Sequence, residues 1–210
     1  MAMQSSSLSD NQIGAVFTPF RWAKWLVAQF DLVSKWTAGA SICDPTAGEG
    51  VFIHALISVA TERGIEVSHT MLSRLFLFEA DATALKNFRS SFRFRHCQHF
   101  PEANLFHRDI ILDNPGHRFD VLVGNPPWAN FNDLPNAYKE TLKPEFIRRG
   151  LIDDLQALLL GSARVDLAAL VLSVTLDLNL KERGEAFFFV PLSLFVGEGA
   201  HSGFRKSCLL

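Results

Sequence analysis

Ser41-Ile42-Cys43-Asp44-Pro45-Thr46-Ala47-Gly48-Glu49-Gly50-Val51 is a short apolar run ending in an acid, a turn of small residues, and the start of a second apolar stretch. Ser41 to Asp44 predicts a buried strand. Val51 to Arg63 predicts a helix that stops at Gly64, since glycine readily adopts the left-handed conformation that closes helices. Strand, tight turn and helix form one βα unit, and the alternation continues outward. Upstream, Phe17-Thr18-Pro19 leads into an apolar-periodic helix from Arg21 to Trp36, with Pro19 where a helix start tolerates proline. Downstream, Leu75-Phe76-Leu77-Phe78 is a continuous apolar run, as in a parallel strand covered on both faces, and it ends in Glu79 and Asp81. A helix from Ala82 through Phe94 follows, then a weaker strand from Asn104 to His107 closed by Asp109. Asp120 to Gly124 is another apolar strand, closed by Asn125-Pro126-Pro127-Trp128. Ala129 to about Gly150 reads as a polar, proline-punctuated loop, and Asp166 to Glu182 as a long amphipathic helix ending at Gly184. Ala186 to Val190 reads as a fifth strand stopped by Pro191.

Strands alternating with helices define an α/β fold with a mostly parallel sheet and helices on both faces. In such folds ligands bind at the carboxyl ends of the strands. Four strands end in a polar or glycine-rich signal: Asp44 with its turn, Glu79, Asp109 and Asn125. They are expected to line one edge of the sheet and form one site.

Bulk composition narrows the function classes. The 210 residues suffice for one α/β domain, and 48% hydrophobic against 20% charged residues is globular composition. The net charge of -2 argues against a chain that grips a polyanion tightly by itself, because phosphate contacts come from Lys and Arg. Cys43, Cys97 and Cys208 have no metal-binding spacing, so no metal is expected. The Ser-rich start lacks the pattern of a signal peptide, and the longest apolar run, within Ala186 to Val196, is too short to span a bilayer. The expectation is a cytoplasmic protein with no membrane partner, residues 1–12 forming a flexible N-terminus.

The turn after the first strand has neither the GxGxxG spacing of a dinucleotide site nor the Gly-Lys-Ser/Thr end of a P-loop. Gly48 and Gly50 let a ligand approach the backbone, while Asp44 and Glu49 would repel a pyrophosphate. A cationic head group fits better, and S-adenosylmethionine offers a sulfonium and an α-ammonium. An ordinary tight βα turn is the competing reading. Glu79 can accept ribose hydroxyls, or it is a solvated helix cap; Asp109 can accept from an adenine amino group, or it is one more acid at a strand end.

Asn125-Pro126-Pro127-Trp128 carries the chemistry. Its two prolines stiffen the loop and remove two backbone donors. The Asn125 side-chain oxygen and the Pro126 carbonyl can then accept from the two hydrogens of one amino group, with Trp128 as a stacking face for a planar base. An aromatic amine is a weak nucleophile because its lone pair is delocalised. Paired acceptors favour its pyramidal form and stabilise the positive charge that develops. Arg148 and Arg149 are candidates for phosphate contact, against a solvated charged pair.

With these motifs in place, the chain resembles the gamma-arranged N6-adenine DNA methyltransferases of restriction-modification systems. Gly14 to Pro19 resembles their opening motif, Asp44 to Gly50 the glycine motif, Phe78 to Asp81 the ribose-binding motif and Asn125 to Trp128 the catalytic motif. Gly184 to Leu192 resembles the motif after the long helix. The resemblance implies a Rossmann-like class I S-adenosylmethionine-dependent fold. It implies cofactor contacts from Thr18, Pro19, Asp44, Pro45, Ala47, Gly48, Gly50, Glu79, Asp109 and Ile110, and catalysis by Asn125, Pro126, Pro127 and Trp128. The implied partner is DNA with a flipped-out adenine. The family uses seven strands and a separate target-recognition domain, so residues 13–210 are expected to be an incomplete catalytic domain. The last two strands and the recognition domain would be missing, or supplied by a specificity subunit. RNA or protein-glutamine methylation on the same fold, and a non-catalytic module, are the alternative functions.

Overall fold

The structure is a computed structural model that describes residues 17–152, 165–196 and 201–208. Residues 1–12 and the Gly14-Ala15-Val16 part of the opening motif lie outside the described residues. The chain divides into two compact units, which among the described residues comprise 17–126 with 174–189, and 127–152 with 165–173, 190–196 and 201–208.

The first unit holds five strands: β1 (Ile42–Asp44), β2 (Leu75–Glu79), β3 (Leu105–His107), β4 (Phe119–Gly124) and β5 (Leu180–Phe188). They form one sheet in the order β3-β2-β1-β4-β5. Every pairing is parallel. Ile42 stands level with Leu75 on one side and Val121 on the other. The helices are α1 (Phe20–Gln29), α2 (Leu32–Thr37), α3 (Val51–Glu62), the single turn α4 (His69–Leu72) and α5 (Ala82–His96). One face of the sheet, with Ile42, Leu75, Leu77, Val121 and Val123, joins a core built from Leu26, Trp36, Phe52, Ile53, Phe88 and Phe92 of the helices. Burying each such side chain stabilises by roughly 1.5–3 kcal/mol. On the other face Phe78 stacks on Phe106 at 4.4 Å and meets Phe119 edge-on at 6.4 Å.

Several buried polar groups in this unit are satisfied locally. The Asn104 amide donates to the Ser73 and Leu75 carbonyls. Asn179 exchanges amide bonds with Asn114 and donates to His117 O. At the start of β4 the Asp120 carboxylate accepts from Ser41 N and Oγ and from Lys181 Nζ, tying β5 to the sheet.

Three boundaries differ from the sequence expectation. The helix expected from Arg21 to Trp36 breaks at Phe30–Asp31, where Asp31 takes a left-handed φ of 48° and its carboxylate accepts from Arg63. The span 129–150, expected to be a loop, contains α6 (Asn136–Arg148) with Pro144 inside it. Only Leu142 and Phe146, one turn apart, are buried on that helix, a stripe too narrow to stand out among its charges. The helix expected from Asp166 to Glu182 is α7 (Leu167–Leu178), and β5 begins at Leu180 instead of Ala186. Lys181, Glu182 and Arg183 are exposed in a bulge of this strand, with Arg183 at φ 64°. Charges suit the exposed part of an edge strand. Gly184 is there because a Cβ would stand 3.0 Å from Asp120 O, not to stop a helix. Helix α7 is also not amphipathic, since Leu167 to Leu172 are all buried.

In the second unit Asn130 pairs antiparallel with Asp166, and the ring of Phe131 meets Phe146 edge-on at 5.0 Å. The last described helix is α8 (Ser202–Cys208). Arg149, considered above for phosphate contact, has a side chain only 7% exposed, and its Nη1 donates to Ser173 O. Arg148 pairs with Glu145 at 2.6 Å. Both arginines thus have intramolecular roles, which corrects that expectation for Arg149.

Candidate active site

Strand order sets the site. From β1 the chain runs outward through β2 and β3, then returns to the other side of β1 with β4. The reversal opens a crevice between the ends of β1 and β4, where open α/β sheets bind ligands. Asp44 closes β1, Glu79 closes β2, and Asn125 follows β4. All three belong to the same unit.

Asp44 is 1% exposed. Its Oδ1 accepts from Thr46 N at 3.2 Å, and its buried Oδ2 has no hydrogen-bond partner. Burial, then the nearby Glu79 charge, push its carboxyl up to about 8, against the one opposing bond from Thr46. The group is therefore held protonated at neutral pH until a cation or a donor reaches it.

The turn is anchored on itself. Ala47 N donates to Phe78 O, Gly50 N to Ala47 O, and Gly48 N to Glu79 Oε2 at 2.7 Å. Glu79 Oε1 accepts from Asp81 N at 2.8 Å, so the carboxylate is fixed by two backbone donors. Both glycines have positive φ, with different surroundings. A Cβ on Gly50 would lie 2.3 Å from the ring of Phe88, whereas one on Gly48 meets nothing within 4 Å. Gly48 thus lines open space beside Glu79, while Gly50 is packed. Glu49 points elsewhere: it is exposed and accepts from Asn87 of α5. The acids bonded to the turn backbone are therefore Asp44 and Glu79, both named from the sequence, while Glu49 faces Asn87.

Asn125 is held from the N-terminal side. Its Nδ2 donates to Thr18 Oγ1 at 2.9 Å, and its Oδ1 is buried. Thr18 precedes Pro19, whose carbonyl accepts from Trp22 N and Ala23 N as the first turn of α1 forms. Two motifs far apart in sequence, Thr18-Pro19 and Asn125-Pro126, are therefore in contact. Gly124, not singled out in the sequence, explains how β4 fits: a Cβ there would stand 3.0 Å from Asp44 Oδ1 and 3.2 Å from the Phe188 ring. A glycine just before the Asn-Pro-Pro run was the available signal.

The remaining candidates are placed as follows. Pro45 and Ala47 are buried within the turn. Asp109 lies beyond β3, and its Oδ1 accepts from Ile111 N and Leu112 N, which caps a local turn; Ile110 is buried. Pro126 belongs to the sheet unit, and Pro127 and Trp128 to the second unit. Trp128 is 39% exposed. Among the described residues no group of three or more His, Cys, Asp or Glu could hold a metal ion, and no helix is long and apolar enough to cross a membrane. A cavity of about 320 Å³ lined by Ile57, Val67, Leu72, Phe92, Arg95 and His96 lies away from these strand ends.

This architecture is the Rossmann-like fold of class I S-adenosylmethionine-dependent methyltransferases. It is shared with such a methyltransferase from Listeria monocytogenes, described as putative, at a TM-score of 0.60 and 15% identity, over 96% of this chain and 52% of that one. The Type ISP restriction-modification enzyme LlaGI, solved with a DNA substrate mimic, matches 92% of this chain and 22% of its own at 0.63 and 19% identity. DrdV, solved as a DNA complex, matches 94% of this chain and 22% of its own at 0.61 and 20% identity. By sequence, the chain is a relative of Type II methyltransferases. M.AccI of Acinetobacter calcoaceticus is 27% identical over 124 residues, 57% of this chain and 19% of that protein. M.HincII of Haemophilus influenzae is 24% identical over 200 residues, 92% of this chain and 30% of that protein. The chain thus spans less than a third of the length of these curated relatives. No protein-family model matches it.

The cofactor of this fold is S-adenosylmethionine, and the residues present fit it. The unpartnered, buried Asp44 Oδ2 suits a cationic group, and the open space over Gly48 next to Glu79 suits a ribose.

Proposed function

We propose that this chain is the cofactor-binding and catalytic portion of a DNA methyltransferase that modifies an exocyclic amino group, N6 of adenine, within a restriction-modification system. The observation that carries the reading is the meeting of Asp44, Gly48, Glu79 and Asn125 at neighbouring strand ends of one unit, at the point where strand order reverses. Support for the substrate comes from the kinship with Type II methyltransferases and from fold neighbours solved with DNA or a DNA mimic.

When bound, S-adenosylmethionine supplies a methyl group on a sulfonium. Asp44 and the turn at Gly48 would hold its cationic part and Glu79 its ribose hydroxyls. Asn125 and Pro126 act on the target. The Asn125 Oδ1 and the Pro126 carbonyl accept from the two amino hydrogens, raise the nucleophilicity of the nitrogen and stabilise the charge that develops on it. Thr18 accepts from Nδ2, which orients the amide in the loop. Trp128 supplies a stacking face, worth ~1–3 kcal/mol per base at comparable sites. Flipping an adenine out of duplex costs a few kcal/mol, and further parts of the enzyme or a specificity subunit would supply that grip.

The test is methyl transfer from radiolabelled cofactor to DNA, RNA and protein, each with wild type and Asn125→Ala. The expected result is label at N6 of adenine in DNA, lost in the variant. Label entering protein or RNA alone overturns the DNA assignment, and label unaffected by Asn125→Ala overturns the catalytic role.

A further inference from the structure

Helices α3 and α5 follow β1 and β2, so both begin at the sheet edge that carries Asp44 and Glu79 and end at the opposite one. The cavity of about 320 Å³ lies where they end, lined from Ile57 of α3 and from Phe92, Arg95 and His96 of α5. β2 separates the two edges by five residues, about 16 Å. A ligand in the cavity therefore does not meet Asn125. The volume falls at the lower end of small-molecule sites, which run from roughly 300 to 1,000 Å³.

The proton inventory of the lining states what such a ligand must offer. Ser91 Oγ stands 3.0 Å from Phe88 O, and only the hydroxyl can place a proton between these two oxygens. His54 Nε2, 3.1 Å from the same hydroxyl, must then donate to it. Burial keeps His54 neutral at ordinary pH, so its Nδ1 accepts from His96 Nε2 at 2.9 Å. His96 is itself held below 6.5 by burial and then by Arg95, which leaves its Nδ1 an unprotonated acceptor. Gln98 Nε2 donates to Val67 O, and Thr61 Oγ1 to Ile57 O, which leaves the Gln98 Oε1 as a second acceptor. The Glu66 carboxylate is a third. Arg95 is the one lining side chain that only donates. Neither Arg95 nor Glu66 has a side-chain hydrogen bond or an ion pair among the described residues, although they carry opposite charge and line the same cavity.

Three acceptors, one of them anionic, match the three protons of an ammonium, and a guanidinium matches a carboxylate. The remaining wall is hydrocarbon. We propose that this cavity is a binding site for a free apolar α-amino acid: Glu66, His96 and Gln98 receive its ammonium, Arg95 its carboxylate, and Ile57, Val67, Leu72 and Phe92 its side chain. The site is separate from the methyltransferase centre, and the inference stands whether or not that centre acts on DNA.

The experiment titrates three probes into the 15N-labelled full chain and follows the backbone amides by NMR. L-Leucine carries both charges, 4-methylpentanoate lacks the ammonium, and 3-methylbutylamine lacks the carboxylate. L-Leucine should shift Val67, Leu72, His96 and Gln98, and each truncated probe should bind at least tenfold more weakly, about the worth of one charge-assisted bond. Arg95→Gln should abolish the preference for L-leucine over 3-methylbutylamine, and Glu66→Gln the preference over 4-methylpentanoate. Both replacements are at exposed positions, so the variants keep the fold. Equal binding of the three probes to wild type, or preferences unchanged in both variants, overturns the assignment. Shifts at Asp44 to Gly50 with none at the cavity place the amino acid in the site already described and likewise overturn it, as does the absence of any shift at millimolar L-leucine.

Discussion

The two glycines of the β1–α3 turn should respond to the same substitution in opposite ways. Gly50 has φ +72°, and a Cβ there would lie 2.3 and 2.4 Å from two ring carbons of Phe88. Phe88 is 0% exposed and wedged against His54, Phe92 and Phe100, so its ring cannot withdraw. Gly50→Ala therefore incurs two costs: roughly 1–2 kcal/mol for an L-residue in the left-handed region and about 1–3 kcal/mol for overpacking. The total is roughly 2–5 kcal/mol, which for a chain of this size lowers Tm by about 4–20 °C. Gly48→Ala, at φ +53° with nothing within 4 Å, incurs only the backbone cost, and its methyl fills the space assigned to the ligand. Thermal unfolding by circular dichroism and calorimetric titration of S-adenosylmethionine separate the two. Gly50→Ala melts much lower, and part of the loss returns when Phe88→Leu is added, because the clash is shared between them. Gly48→Ala melts only about 2–8 °C below wild type and loses cofactor affinity by an order of magnitude or more. Equal melting of the two variants, or undiminished affinity in Gly48→Ala, refutes the division of roles.

Three further outcomes follow from the site and its surroundings. Asp44 is lifted from the ordinary 3.8 to about 8, so its neutral form favours the fold below the ordinary value and that contribution fades as pH rises toward 8. A cation binds the ionised form, so cofactor affinity should rise with pH up to about 8 and then level; an equal slope in Asp44→Asn removes Asp44 as the cause. His54 is held down from 6.5 to about 4 by burial, then by His96 and Arg95, so it favours the fold above 6.5 and that stability is lost as pH falls toward 4. Urea midpoints measured across that window should fall less steeply in His54→Gln, and parallel curves would count against His54 as the acid-labile group. Trp128→Ala should weaken binding of an adenine-containing oligonucleotide by about 1–3 kcal/mol and leave cofactor affinity intact; a matching loss in cofactor titration contradicts the proposed stacking role.

The parts of the fold visible in the sequence were those where one residue pattern serves one environment. Leu75 to Phe78 is covered on both faces, so its strand could be identified without its neighbours. The polar closures at Asp44, Glu79 and Asn125 could be recognised because a parallel sheet brings all its strand ends to one edge. Elements whose character depends on tertiary neighbours were not visible. Lys181 and Glu182 continue the preceding helix in charge pattern but lie in an edge strand, where Lys181 meets Asp120. Within the site, Glu79 was legible as the acid closing β2, but its bond to the Gly48 backbone was not, because Glu79 reaches the turn only through the pairing of β1 with β2. The Thr18–Asn125 bond was beyond local pattern reading for the same reason.

The turn also shows how a nucleotide-binding sheet excludes a pyrophosphate. A dinucleotide turn works by leaving backbone N–H groups free to point at the anion. Here those donors are committed internally: Thr46 N to Asp44, Ala47 N to Phe78 O, Gly48 N to Glu79 and Gly50 N to Ala47 O. One of the four acceptors is the Glu79 carboxylate, so the bond that stiffens the turn at Gly48 also gives it negative character. A phosphate would have to break these bonds and approach like charge. A sulfonium or ammonium meets the turn as it stands, because the Asp44 Oδ2 is buried and has no hydrogen-bond partner. Binding such a cation expels the proton that Asp44 otherwise retains, and the cost of holding two acids on adjacent strands is then offset by the ligand itself. The choice of cofactor is thus written in the destinations of four backbone protons, and the glycine count alone would not have revealed it.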